Sequence, residues 1–102
     1  MTYINVGGVV AIGFDSECRY MLVVSHSGRG VFEIGSWTKI ARDGNCVYPD
    51  GNKILGIGPL DKCVIGINEI DYNSGILECK TPDGKYGIRY SEGMIEINGV
   101  PN

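Results

Sequence analysis

Few side chains in this sequence could perform catalysis. His26 is the one histidine of the chain and stands between Ser25 and Ser27 in a predicted turn. As a general base it would need a nucleophile, such as a cysteine, and an orienting group close in space. We interpret His26 as an exposed turn residue. The alternative is a zinc site formed by cysteines together with His26. A His-rich metal site is excluded, because the sequence has a single histidine.

Two pairs of carboxylates are the next candidates: Asp15 with Glu17, and Glu69 with Asp71. Glycosidases need two carboxyl groups across a sugar-sized cleft, one of them with a raised pKa. Here the members of each pair lie two residues apart in or near a turn. This spacing is typical of a solvated acidic loop, and such a loop can also occupy the cationic active site of another protein.

Neither the glycines nor the cysteines indicate a cofactor. Gly7-Gly8 and Gly28-Arg29-Gly30 lack the spacing of a phosphate-binding loop, and no predicted helix follows them. No CxxC pair occurs among Cys18, Cys46, Cys63 and Cys79. We expect reduced, mostly buried thiols, with two disulfides as the alternative. The sequence therefore predicts a protein that is not an enzyme and holds neither cofactor nor metal.

Charge and hydropathy restrict the partners. The 102 residues carry a net charge of −3, and no run of basic residues occurs. Nucleic-acid binding normally needs a basic surface, so we expect no nucleic acid and instead a cationic partner. The sequence shows no secretion signal, and no apolar stretch approaches the length of a membrane-spanning helix. We therefore expect a cytoplasmic protein with no membrane contact.

Alternating apolar residues and frequent turn residues predict an all-β fold. Asp15 to Ser25 could form a helix, but the β-branched pair Val23-Val24 argues for a strand. The expected architecture is an antiparallel two-sheet sandwich or barrel of about eight to ten short strands. The predicted strands are 2–6, 9–14, 19–25, 30–35, 37–42, 53–58, 63–70, 75–80, 85–90 and 94–97.

Two segments of the chain resemble each other at an offset of 45 residues. Gly30-Val31-Phe32-Glu33-Ile34 matches Gly75-Ile76-Leu77-Glu78-Cys79, and Gly93 to Ile97 repeats the pattern. One interpretation is a duplicated four-stranded unit, over 9–44 and 54–90, within a single domain of residues 1–102. The alternative is that β-rich sequences resemble each other by composition.

Alternation along the strands also predicts which side chains face the core. Three glutamates then point outward: Glu33, Glu78 and Glu96. The predicted inward set is Cys18, Tyr20, Leu22, Val24, Phe32, Ile34, Cys63, Ile65, Ile67, Leu77, Cys79, Ile95 and Ile97.

The acidic turns and outward glutamates are the predicted contact residues for a cationic partner, together with two aromatic residues. Tyrosine and tryptophan are enriched at protein interfaces, although core packing is the alternative for Trp37. The predicted partner-binding residues are Asp15, Glu17, Glu33, Trp37, Glu69, Asp71, Tyr72 and Glu78.

The chain resembles a known group of proteins in three features. These are its acidic turns (Asp15-Ser16-Glu17 and Glu69-Ile70-Asp71), its outward glutamates and its lack of a catalytic constellation. The group is that of the small all-β immunity proteins of bacterial toxin–immunity systems, particularly those of contact-dependent growth inhibition. The resemblance implies an antitoxin that binds one cognate toxin and blocks its active site. The implied toxin is a basic nuclease, RNase A-like ones included.

Two other functions stay open at this point. One is an adaptor or assembly subunit, and the other is a β-barrel that holds a small ligand. An inhibitor is expected to be a monomer or weak dimer, whereas an assembly subunit would form a stable homomultimer.

Overall fold

A computed structural model describes residues 1–44, 57–60 and 64–101 of the chain. Nine strands lie in this part, and no helix there could span a membrane. The strands are β1 (Thr2–Asn5), β2 (Val9–Phe14), β3 (Tyr20–Ser25), β4 (Gly28–Glu33), β5 (Lys39–Asp43), β6 (Ile65–Glu69), β7 (Leu77–Lys80), β8 (Tyr86–Ser91) and β9 (Met94–Gly99).

The strands form two antiparallel sheets, which confirms the all-β prediction and its two-sheet form. One sheet has four strands in the order β1-β9-β8-β7, and the other has five in the order β5-β4-β3-β2-β6. The predicted turns are present where glycine allows a positive φ, as at Gly75 (φ 72°) and Gly84 (φ 74°). Tyr20–Ser25 is a strand, so the helical alternative for this segment is wrong.

The antiparallel registers gather the turns at two ends of the sandwich. At one end lie residues 15–19, 34–38 and 81–85, and we call this the Asp15 end. At the other lie residues 6–8, 26–27, 70–76 and 92–93, which we call the Tyr72 end. The six residues of β2 separate the two ends by about 20 Å at ~3.3 Å per residue.

The main core lies between the two sheets. Met21 and Val23 of β3 contact it from the five-stranded sheet, and Ile95 and Ile97 of β9 from the four-stranded sheet. Tyr90 is buried in this core, and its hydroxyl accepts a hydrogen bond from the backbone N–H of Gly8 at 3.1 Å. Tyr90 therefore packs within the core and also holds the β1–β2 turn in place.

A second apolar cluster covers the opposite face of the five-stranded sheet. Leu22, Val24 and Val31 pack there against Ile57 and Leu60. Val64 closes over the same face, so a Cβ at Gly13 would lie 2.2 Å from its Cγ1. Both faces of β3 are consequently buried.

This second cluster corrects the predicted inward set. Phe32, Leu77, Ile95 and Ile97 do face the inter-sheet core, with Ile34 and Cys79 packed at its margin. Leu22 and Val24, together with Tyr20 and Ile67, lie instead in the second cluster. The prediction was wrong in assuming one buried face, because alternation identifies residues that share a face but not which face is covered.

The sheets do not divide the chain into its two similar segments. β6 belongs to the second segment but pairs with β2 of the first, whereas β7 and β8 lie in the other sheet. Of the predicted strand 53–58, only Ile57 and Gly58 are described, and Ile57 forms an isolated bridge with Leu60. Cys46 and Cys63 also lie outside the described residues.

Truncation of Ile95 should destabilise the fold strongly. Its side chain is 0% exposed between the sheets, so Ile95→Ala should lower the free energy of unfolding by about 2–5 kcal/mol. Urea unfolding followed by circular dichroism measures this change. Ile40, which is 42% exposed, provides the matched control: Ile40→Ala should cost less than about 1 kcal/mol. Equal losses in the two variants would contradict the assigned core.

Candidate functional site

The structure does not bring the eight predicted partner-binding residues together. Asp15, Glu17, Glu33 and Trp37 lie at the Asp15 end or beside it, and Glu78 lies on the exposed face of the four-stranded sheet. Glu69, Asp71 and Tyr72 are grouped at the Tyr72 end. The two acidic loops are therefore separated by the length of β2 and cannot form one site.

Asp15 is a structural residue of the β2–β3 turn. Its carboxylate Oδ1 accepts hydrogen bonds from the backbone N–H groups of Arg19 at 2.6 Å and Tyr20 at 2.9 Å. Arg19 Nε also lies 3.5 Å from Asp15 Oδ2 and 3.0 Å from Glu17 Oε2. Asp15 is 8% exposed, so the expectation of a solvated Asp15 is wrong. Glu17 is exposed beside it.

Trp37 is also buried, at 9% exposure. It sits in the β4–β5 turn with φ 58°, a left-handed conformation that costs a bulky residue free energy. Its ring meets that of Tyr86 edge-to-face, with centroids 5.2 Å apart, within the inter-sheet core. Core packing offsets the backbone cost, and the ring is not presented to a partner.

The outward glutamates occupy two different sheets. Glu33 ends β4 and accepts a hydrogen bond at Oε1 from the Ser36 hydroxyl at 2.7 Å. Glu78 and Glu96 flank Arg89 in register across β7, β8 and β9. Glu33 and Glu78 are exposed as predicted, whereas Glu96 is half-buried.

The β6–β7 turn carries the remaining three residues on a closed backbone. Ile70 donates its N–H to Val10 O, and Asp71 and Ile76 form an isolated bridge. Asp71 Oδ1 accepts the N–H of Asn73 at 2.9 Å, and Asp71 O accepts that of Gly75 at 2.7 Å. The turn is therefore held by its own hydrogen bonds.

The side chains of this turn alternate between core and solvent. Ile70 packs against the inter-sheet core, so Glu69 and Asp71 on either side of it point outward and are exposed. Tyr72 is 73% exposed. The sequence from residue 64 to residue 79 contains no lysine or arginine. We call Glu69, Asp71 and Tyr72 the acidic turn.

Sequence reasoning missed a cleft of about 610 Å³ at the other edge of the five-stranded sheet. The cleft lies between the end of β1 and strands β3, β4 and β5. Lys39 and Arg42 of β5 border it, as do Ser27, the glycines of β4 and the ion pair of Arg29 with Asp43. No sequence motif predicts this cleft, because it is formed by a β-bulge and by glycines, which have no side chains to fill it.

The structure separates His26 from Cys18, one of the two described cysteines. His26 is exposed in the β3–β4 turn, as predicted, and Cys18 lies at the opposite end of β3, so these two cannot form a dyad. Cys79 is a half-buried free thiol on β7. Within 1–44, 57–60 and 64–101, no three His, Cys, Asp or Glu residues cluster as metal ligands would.

Comparison with known proteins identifies no relative: no family model, no curated protein and no solved structure matches this chain.

Removing the Asp15 carboxylate should destabilise the protein. Asp15→Ala leaves two N–H groups without their acceptor, so the free energy of unfolding should fall by about 1–3 kcal/mol. Glu17→Gln is the control, because an exposed ion pair contributes less than about 1 kcal/mol. Thermal unfolding of both variants measures the difference, and a loss in Glu17→Gln as large as that in Asp15→Ala would contradict this role.

The Cys79 thiol should be unreactive in the folded protein. Burial raises its pKa from 9.0 to about 11, which lowers its thiolate fraction at neutral pH by about a hundredfold. Alkylation by iodoacetamide, followed by peptide mass spectrometry, should be slower by at least this factor in the native protein than in guanidinium chloride. Similar native and denatured rates would refute the assignment.

The same shift predicts an effect of alkaline pH on stability. The unfolded thiol ionises near its ordinary pKa of 9.0, whereas the folded thiol stays neutral until about 11. Cys79 therefore contributes stability that is fully present below about pH 9 and is lost as the pH rises through 11. Burial raises the pKa of Cys18 as well, and the charges of Asp83 and Asp15 act in the same direction.

Proposed function

We propose that this protein is an immunity protein that binds a cognate basic nuclease toxin and blocks its active site with the acidic turn. The observation that supports it best is the 73% exposure of Tyr72, which directly follows Asp71 on a hydrogen-bonded turn. Folding leaves this aromatic ring in water, and aromatic residues on rigid loops are common anchors of protein interfaces.

The charge of the acidic turn suits a cationic partner. A nuclease active site must attract phosphate and therefore presents lysine, arginine or histidine side chains. The carboxylates of Glu69 and Asp71 can take the place of a phosphate there, and their charge accelerates association with a basic protein. Because the turn already has its backbone conformation fixed by Asp71, little entropy is lost on binding.

The other five predicted partner-binding residues have smaller roles in this proposal. Asp15 and Trp37 act through stability, since both are buried. Glu17 and Glu33 lie at the far end of the sandwich from the acidic turn. Glu78 lies on a neighbouring strand and is paired with Arg89, at 4.0 Å.

The proposal is tested with purified basic bacterial nuclease domains, including RNase A-like ones. The wild-type protein should inhibit one of them at near-equimolar concentration, and increasing salt should weaken the complex. Tyr72→Ala should reduce the affinity by about thirtyfold or more, as expected for an aromatic anchor. Asp71→Asn should weaken binding while keeping the oxygen that accepts the Asn73 N–H.

Tyr3→Ala is the matched control, because Tyr3 is also exposed but lies on β1, at an edge of the four-stranded sheet. Its inhibition should equal that of the wild type. Failure to inhibit any nuclease of the panel would reject the immunity function. Inhibition that is as sensitive to Tyr3→Ala as to Tyr72→Ala would keep the function but reject the acidic turn as its site.

A further inference from the structure

The cleft at the β5 edge exists because two of the inward positions of strand β4 are glycines. Gly28 and Gly30 stand on the inter-sheet face four and two residues before Phe32, and their partners on β3 are Ser25 and Val23. β1 ends at Asn5 and does not extend over this part of the sheet. The resulting volume of about 610 Å³ is in the range of small-molecule sites, ~300–1,000 Å³.

A β-bulge places two cations on the same side of β5. Phe32 pairs with Lys39 and Val31 pairs with Ala41, so Ile40 is an extra residue between them. In a regular strand, residues three apart face opposite sides. The bulge removes this difference, and both Lys39 and Arg42 border the cleft.

The positive charge of the cleft is not offset by its one acidic residue. Asp43 borders the cleft, but Arg29 holds its carboxylate through Nη2 and through Nε, the latter at 3.0 Å from Oδ1. Lys39 and Arg42 form no ion pair within the described part of the chain. The Lys39 ammonium lies 5.6 Å from the centroid of the Phe32 ring, which orients it without neutralising it.

A hydroxyl group completes the polar lining. Ser25 Oγ donates to Gly28 O at 2.9 Å and is buried, whereas Ser27 is exposed with its Oγ 3.1 Å from Ser25 Oγ. Because the Ser25 proton goes to Gly28 O, the hydrogen bond between the two hydroxyls is donated by Ser27, and Ser27 would have to break it to donate to a ligand. Two cations beside a glycine-lined floor are groups that bind a phosphate.

We propose that this cleft binds a phosphate monoester of mononucleotide size, with the dianionic phosphate between Lys39 and Arg42. The phosphate would accept hydrogen bonds from the Arg42 guanidinium and the Lys39 ammonium, and the organic part would lie over Gly28 and Gly30. This site is independent of the acidic turn, which lies next to β6 at the opposite edge of the five-stranded sheet.

The test uses adenosine 5′-monophosphate and, separately, citrate as probes in an NMR titration of the 15N-labelled protein at low salt. Adenosine 5′-monophosphate should shift the amide resonances of Ser27, Gly28, Gly30 and Arg42 in a saturable manner. Lys39→Gln and Arg42→Gln should each weaken binding by about tenfold or more. Arg89→Gln, on the outer face of the other sheet, is the matched control and should bind as the wild type does.

A variant that fills the cleft separates shape from charge. A Cβ at Gly30 would lie 3.5 Å from Phe32 Cε1 and 3.7 Å from Lys39 Cε, which is ordinary contact. Gly30→Val should therefore fold, as its amide spectrum will report, and lose binding. Three outcomes would overturn the proposal: no saturable shift, equal weakening by Arg89→Gln, or binding of citrate but not of the nucleotide.

Discussion

Burial of both faces of the β2–β3 hairpin is the constraint on which the rest of the structure depends. Side chains of alternate parity on β3 enter two different apolar clusters. A slip of one residue in register would move the side chains of each cluster to the opposite face of the sheet. They would then pack against the wrong apolar cluster. The hairpin therefore fixes the sheet around it, and both candidate sites are located relative to this fixed centre.

Much of the fold follows from local patterns in the sequence. The glycine and proline turns and the alternating strands predict two antiparallel sheets, and the structure has them. Alternation could not reveal that a later segment, Ile57 to Leu60, covers the outer face of the five-stranded sheet. That contact joins residues distant along the chain, and period-two patterning carries no information about it.

The candidate sites show a similar limit. Asp15 and Asp71 have the same side chain, similar acidic neighbours and a similar position after a strand. Both accept backbone N–H groups, yet Asp15 is buried by the turns around it and Asp71 is exposed. Exposure depends on how the turns of different strands meet at one end of the sandwich. Sequence reasoning could therefore identify both acidic loops but not which of their carboxylates would be buried. The cation-lined cleft depends on a register shift in β5, for which the sequence has no local signal.

The bulge in β5 has a second consequence, for self-association. Within the described part of the chain, β5 is an outer strand of the five-stranded sheet and pairs on one side only, with β4. An incoming strand needs an unbroken ladder of evenly spaced hydrogen-bonding groups, and the extra residue at Ile40 interrupts that spacing. Lys39 and Arg42 add repulsion between two copies brought side by side. A kink of one residue thus opposes edge-to-edge pairing of β5 with the same strand of a second copy.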